Sequence, residues 1–221
     1  MHGIDNPDFQ DNRNYNYSQT INVERSEYSI ITELVERNSS VIDLGCGNGL
    51  LMQKLIKERD AKCKGMEISE SAVELCKRNS LHVSLGRIDA ELPFEDNTFD
   101  YSICNVTIQM VNYPEVLLKE MKRVSKHQII SFPNFAFYKN RLDLLFKGRM
   151  PRPMLFGYKW YNTGHLHQLS MKDFKNLVND VGGLKILNTY YLRSGNPFFN
   201  LLMKLLPNLF QTIKIVVTCK D

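Results

Sequence analysis

One nine-residue segment, Val41–Gly49 with the sequence VIDLGCGNG, constrains the fold of this chain more than any other feature. An apolar run ends at Leu44, glycines occupy positions 45, 47 and 49, and an amphipathic pattern starts at Leu50. Glycine allows sharp turns and a close approach of the backbone to a ligand. In open α/β sheets, ligands bind beyond the carboxyl ends of the strands. The segment therefore predicts a strand, a ligand-binding loop and a helix in that order.

The spacing of the glycines argues against two common ligand loops. A dinucleotide-binding loop requires Gly-x-Gly-x-x-Gly, but the sixth position counted from Gly45 is Leu50. A phosphate-binding P-loop requires Gly-Lys-Ser or Gly-Lys-Thr, and the sequence contains neither. An enzyme that uses NAD is therefore disfavoured, and the ligand belongs to another class.

The rest of the chain alternates between short apolar runs and amphipathic helical patterns, which predicts a largely parallel sheet with helices on both faces. Its 221 residues fit a single domain, with an N-terminal extension at 1–22 and a substrate-side insertion at 134–169. We expect strands at 40–44, 62–68, 81–85, 99–104, 128–132, 184–192 and 212–218, and helices at 23–38, from 50, from 69, at 115–124, from 170 and at 198–206. This is the order of an α/β, Rossmann-like fold with seven strands.

The composition indicates the class and location of the protein but does not indicate its function. Hydrophobic residues at 43% and charged residues at 24% are typical of soluble globular proteins, and no apolar run is long enough to span a membrane. A net charge of +4 gives no argument for nucleic acid. The five cysteines are scattered and never spaced as Cys-x-x-Cys, which favours reduced thiols and a cytoplasmic location.

The segment Val41–Gly49 resembles the first motif of class I S-adenosylmethionine-dependent methyltransferases. The resemblance implies that Asp43 holds the ammonium end of the cofactor, that Glu67 accepts from the ribose hydroxyls, and that Asp89 accepts from the adenine amino group. Asn105 is expected beside the methionine portion. A loop anchor at Asp43, surface acids at the other positions and purely structural turn glycines remain open alternatives. The full set of expected cofactor-binding residues is Asp43, Gly45, Gly47, Asn48, Gly49, Glu67, Ile68, Asp89, Ala90 and Asn105.

Later segments are similar to the MetW family of methionine-biosynthesis proteins. They are Gln109, Ser131–Phe135, Gly148–Pro151 and Trp160–Thr163 with His167. That resemblance implies association with homoserine O-acyltransferase. Two hypotheses follow: a methyltransferase that acts on a small-molecule acceptor, and an accessory subunit of the acyltransferase.

Candidate catalytic residues come from the insertion. Methyl transfer from a sulfonium is an in-line displacement, so positioning supplies most of the catalysis and a general base helps a hydroxyl or amine acceptor. His165, His167 and Tyr161 are the candidates for that base, with a structural hydrogen-bonding role as the alternative. Two histidines without a nearby carboxylate or thiolate make a poor metal site, so no metal is expected. Cys46 is expected to be a small buried side chain beneath the loop.

Overall fold

The structure, a computed structural model, describes residues 24–151, 160 and 163–221. Within these ranges the chain forms one seven-stranded sheet flanked by helices. The strands are β1 (Ser40–Leu44), β2 (Lys62–Glu67), β3 (Val83–Leu85), β4 (Phe99–Asn105), β5 (Ser125–Pro133), β6 (Leu184–Tyr191) and β7 (Ile213–Lys220). The helices are α1 (Glu27–Leu34), α2 (Leu50–Arg59), α3 (Glu70–Arg78), α4 (Pro114–Val124), α5 (Tyr138–Lys147), α6 (Met171–Val181), α7 (Pro197–Leu205) and α8 (Pro207–Phe210), with a 3₁₀ turn at Ile108–Met110.

The strand order is β3-β2-β1-β4-β5-β7-β6. Among these strands β7 runs in the opposite direction to the other six, so its pairings with β5 and β6 are antiparallel. The chain moves outward from β1 through β2 to β3 and then returns to place β4 on the other side of β1. The order therefore reverses between β1 and β4. A crevice forms at such a reversal, beyond the carboxyl ends of the strands. The glycine loop after β1 lies at this point.

Both faces of the sheet are buried, because successive strand residues enter two separate cores. Val41 packs with residues of α1, α2 and α3, whereas the next residue, Ile42, packs with residues of α4 and α6. Ile129 and Ile130 divide between the two cores in the same way. This confirms the prediction of helices on both faces. No helix in the described part of the chain is long and apolar enough to cross a bilayer.

Several predicted element bounds differ from the structure, and three of the differences change an element substantially. The first helix is limited to Glu27–Leu34, because Val35 is already extended. β5 begins at Ser125, three residues earlier than predicted, since buried polar side chains extend it: the Ser125 hydroxyl donates to Ser102 Oγ at 2.8 Å. The insertion at 134–169 was predicted without a regular element, but residues Tyr138–Lys147 form α5.

The polar segment between β3 and β4 is held by one guanidinium. Arg123 on α4 donates to the carbonyl oxygens of Phe94 at 2.6 Å and Leu92 at 2.9 Å, and it also pairs with Glu120 at 2.7 Å. Glu120 in turn accepts from the backbone N–H of Leu92 at 2.7 Å. These charge-assisted bonds fix a segment that has no strand or helix of its own.

We expect Arg123→Met to lower the free energy of unfolding by about 1–3 kcal/mol, because it leaves partly buried carbonyls and Glu120 without their donor. Urea denaturation followed by circular dichroism measures this change. The control is Arg78→Met, since Arg78 is 77% exposed and lies 3.7 Å from Glu74. That substitution should change stability by less than about 0.5 kcal/mol. Equal losses in the two variants would contradict the role given to Arg123.

Candidate functional site

The three glycines of the loop all have positive φ angles, of +77° at Gly45, +54° at Gly47 and +75° at Gly49. Two of them are also required by packing within the protein. A Cβ at Gly49 would lie 2.4 Å from Leu81 Cδ1, and one at Gly45 would lie 2.7 Å from Thr107 Cγ2. The loop is thereby fixed against the segment after β4 and the segment after α3. The tight turn of the loop is therefore built into the fold.

The carboxylate of Glu67 organises the loop from the neighbouring strand. Its Oε2 accepts from the backbone N–H of Gly47 at 2.8 Å. Its Oε1 accepts from the N–H groups of Ile68 at 2.8 Å and Ser69 at 3.0 Å. Glu67 is only 5% exposed, yet its charge is satisfied by three backbone donors. The end of β2, the glycine loop and the start of α3 therefore meet at one side chain.

Asp43 is the second buried acid of the site and lies in β1, one residue before its end. It is 2% exposed, and among the described residues its side chain receives no hydrogen bond. Burial, and secondarily the nearby Glu67, raise the pKa of Asp43 to about 7. The site therefore contains a carboxylate that a cationic group would stabilise.

Asp89 follows β3 and is 6% exposed. Its Oδ2 accepts from Arg87 at 2.9 Å and from the backbone N–H groups of Asn112 at 2.8 Å and Tyr113 at 3.2 Å. One oxygen thus ties the segment after β3 to the start of α4.

Asn105, at the end of β4, forms hydrogen bonds through both the oxygen and the nitrogen of its side-chain amide. Its Oδ1 accepts from the Ser131 hydroxyl, and its Nδ2 donates to Glu27 Oε1 at 3.3 Å. The next residue, Val106, has a φ of +51°, which a β-branched side chain rarely adopts. Its N–H is held by the Ser131 hydroxyl at 2.9 Å. Such strain persists only where surrounding contacts enforce it, and here it shapes the edge of the crevice.

The described part of the insertion is bound to the turn after β4. The carbonyl of Gln109 accepts from the N–H groups of Leu166 at 2.9 Å and His167 at 3.0 Å. His167 Nε2 lies 3.0 Å from the carbonyl oxygen of Val111, and because a carbonyl only accepts, Nε2 carries the proton in this contact. The structure therefore brings His167 to the β4 edge of the sheet.

The other expected residues occupy varied positions. Asn48 is half-buried, and its Oδ1 accepts from the N–H of Leu50 at 3.4 Å, close to the start of α2. Ile68 and Ala90 are exposed. His165 is half-buried and its N–H donates to Thr163 Oγ1 at 3.1 Å, whereas Tyr161 lies outside the described residues.

Two cysteine thiols pack beneath the loop. Cys46 is 7% exposed, and a hydrogen bond with Cys76 together with burial raises the pKa of Cys46, so its thiol stays protonated. Cys76 lies 3.4 Å from the carbonyl oxygen of Gly47. Cys46 is thus a small buried side chain, as predicted. Among the residues that the structure describes, no cluster of three or more potential metal ligands is present.

Two residues of the site were not singled out as site residues by the sequence. Glu27 is 3% exposed although it lies in the first turn of a helix, and nothing in the local pattern distinguishes it from a solvated glutamate. Gln109 is 1% exposed and donates from Nε2 to the carbonyl of Val106 at 2.8 Å. The sequence indicated Gln109 only through its position in a segment that is similar to a known family.

Comparison with known proteins identifies the family. The family model described as methionine biosynthesis protein MetW matches residues 25–218. The chain belongs to the MetW family. A relative from Rhodopirellula baltica, the bifunctional methionine biosynthesis protein MetXA/MetW, is 37% identical over 174 residues, which are 73% of this chain and 27% of the relative. The chain thus spans about a quarter of that relative's length.

More distant similarities show the fold. A demethylmenaquinone methyltransferase of Staphylococcus aureus is 28% identical over 174 residues, covering 69% of this chain and 70% of the relative. The solved structure of an S-adenosylmethionine-dependent methyltransferase from Mesorhizobium loti superposes with a TM-score of 0.62 at 14% identity, over 89% of this MetW-family chain and 98% of that one. The prediction of a Rossmann-like class I methyltransferase fold is confirmed.

The packing of Gly49 gives a direct test of the loop. We expect Gly49→Ala to lower the free energy of unfolding by about 1–3 kcal/mol, because alanine is strained at positive φ and its Cβ would meet Leu81. Gly195→Ala is the control, since a Cβ there meets nothing within 4 Å. Chemical denaturation measures both, and a Gly49→Ala protein as stable as the parent would refute the packing constraint.

Proposed function

We propose that this MetW-family chain binds S-adenosylmethionine in the crevice beside the glycine loop and transfers its methyl group to a small-molecule acceptor. The observation that carries the proposal is Asp43, a buried carboxyl group near the end of β1 that accepts no hydrogen bond from the residues that the structure describes. S-adenosylmethionine carries a sulfonium and an ammonium group, and an acid whose pKa is raised by burial is stabilised by such a cation.

The residues present fit this cofactor. Asp43 would accept from the ammonium group, and Glu67 retains one lone-pair direction beyond its three backbone donors for a ribose hydroxyl. The Oδ1 atom of Asp89 would accept from the adenine amino group. Remaining contacts come from the loop at Gly45, Gly47, Asn48 and Gly49, from the exposed Ile68 and Ala90 beside the ring, and from Asn105 near the methionine portion.

The chain's part in the reaction is positioning and proton removal. The bound cofactor supplies a methyl group on a sulfonium, which is already a good leaving group. The insertion after β5 is proposed to orient the acceptor, because the described part of it is attached to the turn after β4 through Gln109. Nδ1 of His167 is our candidate to take a proton from a hydroxyl or amine acceptor, with His165 and Tyr161 as further candidates.

Isothermal calorimetry with S-adenosylmethionine tests the binding site. We expect Asp43→Asn and Glu67→Gln each to weaken binding by about tenfold or more, since each removes a buried charge that the cofactor or the loop requires. Asp96→Asn is the matched control, because Asp96 is 70% exposed on the segment before β4. Its affinity should equal that of the parent. Unchanged affinity in both site variants would overturn the proposal.

The raised pKa of Asp43 predicts a pH dependence of cofactor affinity. The carboxylate form binds a cation, so affinity should be complete above pH 7 and fall as the pH drops through the value of about 7 set by burial. The Asn variant at position 43 should lose this dependence. A flat profile for the parent protein between pH 6 and 8, measured by the same calorimetry, would contradict the assignment.

The fused relative supports a second candidate function. In the protein from Rhodopirellula baltica, a MetXA part and a MetW part share one chain. By that relationship the present chain would act as an accessory subunit of a homoserine O-acyltransferase. Co-expression of the two chains tests this: an acyltransferase that gains activity with the parent and equally with Asp43→Asn supports an accessory role independent of the cofactor.

A further inference from the structure

Two helices outside the crevice expose an unusual amount of apolar surface. α5 has one buried residue in ten, Asn140, and α7 has one in nine, Met203. On α5, Leu145 and Phe146 are 73% and 77% exposed. We call the exposed apolar side chains of these helices the α5–α7 surface, and its main members are Leu142, Leu145, Phe146, Phe198, Leu201 and Leu205.

The apolar residues follow helical spacing, but on the outward side. Leu142, Leu145 and Phe146 are spaced i, i+3, i+4 on α5, and Phe198, Leu201 and Leu205 are spaced i, i+3, i+7 on α7. In a core helix such a stripe faces the sheet. Here the side chains of both stripes are exposed to solvent. Large exposed apolar patches of this kind mark binding surfaces.

Aromatic rings link the start of α5 to α7 through α8, and the side chain of Asn134, just before α5, adds hydrogen bonds to the same segment. The ring of Phe210 lies 5.3 Å from that of Tyr138, the first residue of α5, and 6.4 Å from that of Phe199 on α7. Asn134 Nδ2 also donates to the carbonyl oxygens of Asn208 and Gln211, each at 2.9 Å. The α5–α7 surface is therefore one region of the molecule.

Charge is distributed very unevenly along the chain, and this surface lies in the basic part. Residues 1–125 contain 14 Lys and Arg against 20 Asp and Glu, whereas residues 126–221 contain 14 against 4. The net charges are −6 and +10. Exposed Lys139 lies near the start of α5 and exposed Arg149 follows its end, so a cation stands on either side of the apolar stripe, and the helix's one acid, Asp143, pairs with Lys147. No acidic residue occurs between 184 and 220.

We propose that the α5–α7 surface docks the protein onto an anionic lipid bilayer. Amphipathic helices with leucine and phenylalanine on one face and lysine or arginine beside it lie in the membrane interface, where the apolar side chains enter the acyl boundary and the cations meet the headgroups. Long cationic side chains at the ends of the stripe reach the headgroup level while their stems cover apolar surface. The excess of positive over negative charge in residues 126–221 fits an anionic headgroup layer.

Sedimentation with lipid vesicles tests the proposal on the full chain. We expect binding to vesicles that contain phosphatidylglycerol, weak binding to pure phosphatidylcholine, and a loss of binding as salt is raised. The double substitution Leu145→Glu, Phe146→Glu should weaken vesicle binding by about tenfold or more, because it places charge in the apolar stripe. Lys139→Gln should weaken it by about fivefold on anionic vesicles only.

The control is Ile56→Glu, which makes the same kind of substitution once, at an apolar residue that is 41% exposed on α2. It should bind vesicles like the parent, and unchanged cofactor affinity in every variant shows that the fold and the crevice are intact. Absence of binding to anionic vesicles, or equal binding by the double variant, would overturn the proposal. A purified homoserine O-acyltransferase that binds the parent but not the double variant, without vesicle binding, would assign the surface to a protein partner instead.

Discussion

The carboxylate of Glu67 is the contact on which the crevice depends. It accepts from the backbone N–H groups of Gly47, Ile68 and Ser69, and so joins the loop after β1 to the end of β2 and the start of α3. A buried charge is tolerated only when donors surround it, and here all three are backbone groups that the fold itself supplies. The glycine loop has this shape because Glu67 holds it from one side and Thr107 closes it from the other.

Three acidic side chains lie at this edge of the sheet, and the contacts within the fold do not account for all of their charge. Glu67 is satisfied, Asp89 uses one oxygen to anchor the start of α4, and Asp43 receives no donor within the described residues. Leaving a buried carboxyl without a partner costs free energy, which is the usual sign of a functional site. Val106 adds backbone strain at the neighbouring strand end. These features together distinguish the crevice from the rest of the surface, and they match a ligand that carries positive charge.

Much of this arrangement could be predicted from local patterns. The glycines and the apolar runs predicted the order of elements, and α3 starts where predicted, with Ser69 Oγ accepting from the N–H of Ala72. Placement of Asp43, Glu67 and Asp89 at one edge followed from parallel strands. Glu27 could not be found this way, because its burial depends on Asn105, 78 residues away. α5 was not predicted, because residues 134–169 were interpreted only as an insertion, although the apolar spacing of Leu142, Leu145 and Phe146 fits a helix. The ligand roles of these residues stay predictions.

We infer that burial raises the pKa of Asp43 and that bound S-adenosylmethionine stabilises the charged form of this carboxyl group. A carbon-detected NMR titration of the Asp43 carboxyl group, with and without the cofactor, measures this directly. We expect the pKa of Asp43 to be about 7 in the free protein, because the carboxyl group is buried, and to fall by about one unit or more when the cofactor is bound. A value near 4 in the free protein, or one that the cofactor does not move, would contradict it.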